Sequence, residues 1–309
     1  MSALRVGFFG DGEWAVKSLD RLVRSPDAEV LFVCLRHGSP DEALGAAADR
    51  VGVPIIDLPD VNSASSIRVL TDYACDVFVS MSFDQIMRRR MFSLPPLGTI
   101  NCHAGMLPFY RGRSVLNWAL INGEDRIGVT VHLVDDGVDT GDILVQHVVE
   151  ITDRDDYGTL LERGSDACAD AVEEAVTRLA NGSVTPVAQS SIDEFGSYFT
   201  RRVPGDERID WTRPSRDVVN LVRGVAPPGP GALASIGPDE WRILKAVHHV
   251  EAAPWRMVCG AVLPSAPGTF RVKTADTFVD VTEWVGPRRP RAGERFSMVP
   301  GGPLIPRES

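Results

Sequence analysis

Short apolar, β-branched runs alternate with helical patterns along the first part of the chain, and this alternation constrains the fold more than any other feature. Runs suited to strands fall at Arg5–Phe9, Val30–Leu35, Val53–Ile56, Val77–Ser80, Gly98–Asn101 and Val129–Val134. Helical segments lie between them, among them Trp14–Arg24, Pro40–Val51 and Ser65–Tyr73. Parallel strands need a crossover between them, most often a helix, so this order predicts a Rossmann-like α/β domain built on a parallel sheet. A further helix is expected from Asp156 to about Leu179, stopped by Asn181-Gly182.

The pattern changes near Arg201. Ser215–Val225 reads as one more helix, which the run Pro227-Pro-Gly-Pro-Gly231 breaks. Strand candidates follow at Ala232–Ile236, Trp241–Val247, Gly260–Leu263, Thr269–Thr274 and Val279–Trp284. Short strands with Gly and Pro turns predict a small antiparallel, OB-like β-barrel. The expected division is residues 1–200 for a catalytic domain and 201–309 for a linker helix and C-terminal barrel. The tail beyond Arg288 is rich in Gly, Pro and Arg and reads as irregular.

Composition narrows the function classes. The 309 residues are 44% hydrophobic and 24% charged, as in ordinary globular proteins. The early run Val6-Gly-Phe-Phe9 is too short for a signal-peptide core, and no stretch approaches the ~18 apolar residues of a membrane helix. Five scattered cysteines without a C-x-x-C pair fit buried thiols in a reducing compartment, so the expected location is cytoplasmic, with no metal site. Net charge is -10, and residues 1–205 carry 18 basic against 30 acidic side chains. An acidic body disfavours nucleic acid as a partner.

The chemistry concentrates between residues 101 and 144. Asn101 and His103 stand at i, i+2 where a strand ends, so their side chains leave one face, and strand carboxyl ends are where α/β sheets bind ligands. Asp139 sits in a Gly-containing loop after a later strand. An amide donor, an imidazole and a carboxylate suit acyl transfer to an amine. Asn101 can donate to the developing oxyanion, His103 can relay the amine's proton, and Asp139 can orient the imidazole and favour its charged form. The plainer reading is that Asp136 and Asp139 are turn formers and His103 a loop residue. His132, flanked by Val131 and Leu133, reads as a packed or surface histidine, and His248-His249 as structural. Gly10-Asp-Gly12-Glu-Trp-Ala15 imitates a dinucleotide fingerprint, with Arg36 where an NAD site would want an acid. An NADP-binding reductase is therefore the rival of another class, Arg36 suiting a 2′-phosphate.

The wider pattern decides between these readings. Asn-x-His from Asn101, Leu107-Pro-Phe-Tyr-Arg-Gly112, Asn122-Gly-Glu124, Gly128-Val-Thr-Val-His132 and Asp139-Thr-Gly-Asp142 together resemble the N10-formyltetrahydrofolate-dependent formyltransferase family. The likeness covers most of the chain. Arg201-Arg-Val-Pro-Gly-Asp-Glu-Arg-Ile-Asp-Trp211 is similar to the linker of the methionyl-tRNA and sugar N-formyltransferase branches. The resemblance implies catalytic roles for Asn101, His103 and Asp139. It implies pterin contacts from Gln85, Ile86 and Met87 and from Asp135, Asp136, Gly137 and Val138. Arg113 is similar in position to a substrate-side arginine of the sugar-acting members. Gly105 departs from the family, where many members carry serine.

The implied formyl donor is N10-formyltetrahydrofolate, with no metal. For the acceptor, the segment after the second strand lacks the basic insertion of the tRNA enzymes, and Arg113-Ser-Val-Leu-Asn-Trp118 is similar to the sugar-acting form. A nucleotide-linked amino sugar is the expected substrate, with methionyl-tRNA or another small amine as the alternative. Its phosphates would fall to Arg113, Arg201 and Arg202. A homodimer is compatible with the sequence.

Overall fold

The computed structural model describes residues 3–298, and the last part of the Gly/Pro/Arg-rich tail lies outside them. In chain order the first elements are β1 (Leu4–Gly10), α1 (Gly12–Leu22), β2 (Ala28–Leu35), α2 (Glu42–Val51), β3 (Ile55–Asp57), α3 (Ala64–Tyr73) and β4 (Val77–Met81). Then come α4 (Arg89–Phe92), β5 (Thr99–His103), β6 (Arg111–Gly112), α5 (Val115–Asn122), β7 (Arg126–Leu133), β8 (Ile143–Glu150), α6 (Tyr157–Ala180) and β9 (Tyr198–Phe199). The last are α7 (Ser215–Gly224), β10 (Ala232–Ile236), β11 (Asp239–His248), β12 (Val262–Leu263), β13 (Phe270–Lys273) and β14 (Phe278–Val285).

The chain divides into two compact units. The first comprises residues 1–115, 126–150 and 162–199, and the second 116–125, 151–161 and 200–309. Two short segments before residue 200 thus belong with the C-terminal part, and α6 contributes residues to both units.

The first unit is a seven-stranded sheet in the order β3-β2-β1-β4-β5-β7-β8. The five strands from β3 to β5 run parallel, as the βα alternation requires. β7 and β8 reverse direction, each antiparallel to its neighbour. Hydrophobic alternation carries no polarity, so the run around Val129–Val134 could reveal a strand but not its direction. β8 was not among the expected strands. Its outer half alternates buried with exposed positions, as suits the last strand of a sheet with one covered face.

Both faces of the central parallel strands β1 and β4 and of the second half of β2 are buried and apolar, which is why they read as nearly continuous hydrophobic runs. Val6, Phe8, Val33, Val77 and Val79 join the core that includes Leu19, Leu44 and Val172. Phe9, Phe32, Cys34 and Phe78 join the opposite core with Leu70, Met91 and Phe92. Gly7 lies between two of these rings. A Cβ there would stand 2.5 Å from Phe32 and 2.7 Å from Phe78, so the bare glycine is what admits both phenylalanines.

In the second unit, α7 and an antiparallel half-barrel of order β10-β11-β14-β13-β12 form one core around Trp211, Trp241, Phe270 and Phe296. The expected α/β fold with a smaller C-terminal β domain is the observed one.

Candidate active site

β5 is the strand on which the sheet turns from parallel to antiparallel pairing, with β4 on one side and β7 on the other. Its last residues, Asn101 and His103, project from one face, and the register sets Asn101 directly opposite His132 of β7. The Asn101 amide Nδ2 lies 3.2 Å from His132 Nε2. His132 Nδ1 is 2.8 Å from the Leu133 carbonyl, which can only accept, so Nδ1 donates to it and Nε2 is left facing the Asn101 amide. His132 is packed, as its strand context suggested, but it also touches two residues of the expected constellation. The sequence pattern missed that second fact. It depends on the antiparallel register.

His103 is 8% exposed. Its Nε2 lies 2.6 Å from the carbonyl oxygen of Tyr110 and must donate to it. Nδ1 is therefore the basic nitrogen, and the Asp139 Oδ2 faces it at 3.7 Å. The imidazole is oriented by the Tyr110 carbonyl, not by Asp139 as the sequence reading had it. The carboxylate is set where it meets a proton arriving on Nδ1. Burial holds the His103 pKa below the usual imidazole range, opposed by Asp139. The resting ring is thus kept neutral and able to accept.

Asp139 reaches the site from the loop after β7. Its side chain is 14% exposed, with Oδ1 3.6 Å from His132 Nε2 and Oδ2 accepting from the Gly112 N–H at 2.9 Å. Burial pushes its pKa up, but His132, His103 and the Gly112 amide outweigh burial and hold it at about 2. Its backbone has φ of +54°, in the left-handed region. Ser82, Tyr110 and Ser114, in the loops after β4 and around β6, share that region. Such conformations concentrate where surrounding contacts over-determine them.

Gly105 is tightly packed. A Cβ on it would lie 2.5 Å from the Tyr110 carbonyl oxygen and 2.6 Å from His103 Nε2, between the partners of that hydrogen bond.

The expected pterin loops divide into scaffold and exposed side chains. Gln85 bonds the Val61 amide and the Leu58 carbonyl, and Met87 is buried in the core, so both build the loop. Ile86 between them is 80% exposed. Asp135 holds the Gly137 amide at 3.0 Å and the Thr140 hydroxyl at 2.6 Å, closing its own turn, while Val138 is 57% exposed. Arg89 and Asp136 form an ion pair that ties the two loops together. Arg113 is exposed beside Gly112, and its backbone N–H bonds the Phe199 carbonyl. Arg201 and Arg202 belong to the second unit, apart from the unit that carries the other candidates.

The rival fingerprint is occupied by its own chain. Arg36 Nη2 pairs with Asp11 Oδ2 at 2.5 Å, and its Nε lies 3.5 Å from Asp84 Oδ2. Two carboxylates already match the charge that a 2′-phosphate would need. His248 and His249 have separate partners, Arg216 and Asp280.

Residues 4–176 match the family model described as formyl transferase, and residues 203–291 match the formyl transferase C-terminal domain. The chain belongs to the formyl transferase family. Among its curated relatives is the methionyl-tRNA formyltransferase of Citrifermentans bemidjiense, 31% identical, covering 98% of this chain and 97% of the relative. That of Syntrophus aciditrophicus is 33% identical over 82% of this chain and 83% of the relative. Among solved structures, the N-formyltransferase of Helicobacter canadensis, in complex with folinic acid and dTDP-3-aminofucose, aligns with a TM-score of 0.68. It is 18% identical, covering 91% of this chain and all of that one. The sugar 3N-formyl transferase WlaRD aligns equally well at 20% identity, over 94% of this chain and all of that one. This formyltransferase shares their fold, and as a member of the family it is an enzyme that transfers formyl groups.

Proposed function

We propose that this formyltransferase takes its formyl group from N10-formyltetrahydrofolate and delivers it to the primary amine of a nucleotide-linked amino sugar. The donor supplies a formyl carbon activated on nitrogen. Asn101 donates its amide N–H to the carbonyl oxygen as negative charge develops there, and His103 Nδ1 takes the proton of the attacking amine. The carbonyl re-forms as the C–N10 bond breaks, and the proton passes to the departing N10, which releases tetrahydrofolate and regenerates neutral His103. Asp139, ionised at any working pH because its pKa is held at about 2, stabilises the imidazolium so formed. The exposed side chains of Ile86 and Val138, on two loops joined by the Arg89–Asp136 pair, suit the apolar faces of a flat heterocycle. Folate-bound relatives of the same fold support this donor.

One observation carries the choice of acceptor. Only residues 36–41 separate β2 from α2, and their single arginine, Arg36, is held by Asp11 and Asp84. A connection of that kind offers no free positive charge to a tRNA, and residues 1–205 are acidic as a whole. Arg113, exposed next to the site, suits a phosphate of a small acceptor, and the sequence assigns the same role to Arg201 and Arg202.

The second reading is methionyl-tRNA formylation, favoured by the 31% identity to the Citrifermentans enzyme along almost the whole chain. Mass spectrometry after incubation with N10-formyltetrahydrofolate and a panel of nucleotide-linked amino sugars is expected to show one added formyl group. Faster formylation of initiator methionyl-tRNA than of any sugar in the panel would establish the second reading instead.

A further inference from the structure

Gln189, the first residue of a short 3-10 turn (Gln189–Ser191) 50 residues beyond Asp139, was not among the expected functional residues. It is buried, and both ends of its amide are used twice. Oε1 accepts from Arg111 Nη2 at 2.7 Å and Nε at 3.0 Å. Nε2 donates to the Asp139 carbonyl at 2.9 Å and the Gly141 carbonyl at 2.8 Å. Four partners saturate a primary amide.

Each partner matters to the site. Arg111 lies on β6, between Tyr110, whose carbonyl orients His103, and Gly112, whose N–H holds the Asp139 carboxylate. Arg111 is itself buried, with Nη1 bonded to the Phe195 carbonyl and the Tyr198 hydroxyl. The two carbonyls to which Gln189 donates belong to the turn that starts at Asp139, where a non-glycine residue is kept at φ +54°. The segment bearing Gln189 is anchored in turn. Val187 and Ile143 exchange backbone hydrogen bonds at 2.8 and 2.9 Å, extending the edge at the start of β8.

We propose that Gln189 is a positioning residue that, with Arg111, clamps the loop of residues 108–113 to the loop of residues 139–141 and so fixes His103 and Asp139 relative to each other. The proposal rests on the catalytic roles assigned above to those two residues. The 3.7 Å between His103 Nδ1 and Asp139 Oδ2 is set by no direct hydrogen bond, so it must be set by the Tyr110 carbonyl that holds the His103 ring at the end of β5 and by the loop that carries Asp139. A shift of about 1 Å in such a spacing costs up to ~10²-fold in rate. The charged and titratable groups facing the pair are His132 from β7 and, through Gln189, Arg111 from β6.

Two variants of the full-length enzyme test the clamp. Gln189→Met keeps length and neutrality but removes all four hydrogen bonds. Titration of the His103 ring by NMR is expected to move to lower pH, in the same direction as in Asp139→Asn, because the carboxylate no longer faces Nδ1 at its set distance. Gln189→Glu leaves Arg111 an acceptor and puts oxygen against two carbonyls. Its thermal unfolding is expected near that of wild type, with kcat down about 10- to 100-fold and KM for the donor within about threefold. A His103 titration unmoved in folded Gln189→Met, while Asp139→Asn shifts it, would overturn the clamp. So would wild-type kcat in folded Gln189→Glu. The NMR titration needs no acceptor, so it decides this proposal even where the choice of acceptor fails.

Discussion

The active-site loops and the turn between β13 and β14 both bury an ionisable side chain, and they treat it in opposite ways. In the turn, Lys273 is fully buried with its Nζ 2.6 Å from the Thr274 carbonyl and 3.3 Å from the Asp276 carbonyl, over the face of Trp255. Its partners are backbone groups of its own turn. In the site, the Asp139 carboxylate stands 3.7 Å from one imidazole nitrogen and 3.6 Å from another, beyond good hydrogen-bond range of both. The first arrangement is closed and can only stabilise. The second leaves His103 Nδ1 with a lone pair and a neighbouring negative charge, which is what a proton relay requires. Substitutions in the two regions should therefore separate turnover from stability.

The largest effect is expected at Asn101. Removing an oxyanion donor costs on the order of 10²–10³ in rate, so Asn101→Ala should lose that much kcat with little change in donor affinity. Asn101→Asp should fall further, since a carboxylate repels the developing oxyanion. Steady-state kinetics on both variants check this. An aspartate variant more active than the alanine one would move the oxyanion role to backbone amides.

Asp139→Asn is expected to lower kcat by about 10²-fold or more. Its pH dependence sharpens the comparison. His103 must be neutral to accept a proton, so kcat/KM should fall as pH drops through its depressed pKa. Loss of the Asp139 charge, which opposes that depression, should shift this limb to still lower pH. Stability has its own sign. Both groups have folded-state pKa values below their ordinary ones, so each stabilises the fold at neutral pH and loses that contribution on acidification. His103 acts first, as pH falls below the usual imidazole range. Asp139 follows between about pH 4 and pH 2, contributing roughly 2 kcal/mol for a shift from 3.8 to about 2. Thermal unfolding across that range checks the order, and Asp139→Asn should remove the lower stage and move the His103 stage to lower pH.

The fold and the site were legible to different depths. Periodicity exposed β1, β2, β4 and β5, because strands buried on both faces read as unbroken apolar runs. It missed α5, whose sequence Val-Leu-Asn-Trp-Ala-Leu-Ile-Asn has no polar face to give it a helical rhythm. Asn101 and His103 stand out because their relation is local, two residues apart at a strand end. His132 and Gln189 do not. One depends on the register between two antiparallel strands, the other on a loop returning to the site from 50 residues away. Neither relation leaves a spacing in the sequence.

Gly105 probes the boundary between packing and chemistry. A β-carbon there must displace either the Tyr110 carbonyl or the His103 ring. Gly105→Ala is expected to lower kcat by about tenfold while the protein stays folded, because the His103 orientation is what changes. Stopped-flow kinetics with a circular-dichroism control checks it. Unchanged turnover would mean that the Tyr110 carbonyl can retreat without moving the ring.

The smallest effect on turnover is expected at Lys273, and it closes the comparison from the other side. Lys273→Met fits a side chain of similar length into the same space but leaves the Thr274 and Asp276 carbonyls short of a donor. A buried polar group left unsatisfied costs about 1–3 kcal/mol. The turn has other supports that limit the damage. Asp276 also accepts from the Ser215 amide and hydroxyl at the start of α7 and from the Thr277 amide. Unfolding temperature should therefore drop by a few degrees, with kcat per folded molecule at the wild-type value. Asn101→Ala should show the reverse, a collapse in kcat with nearly unchanged unfolding. If Lys273→Met also loses turnover in its folded state, the half-barrel takes part in the reaction, and the division between a region built for stability and one built for proton transfer would have to be given up.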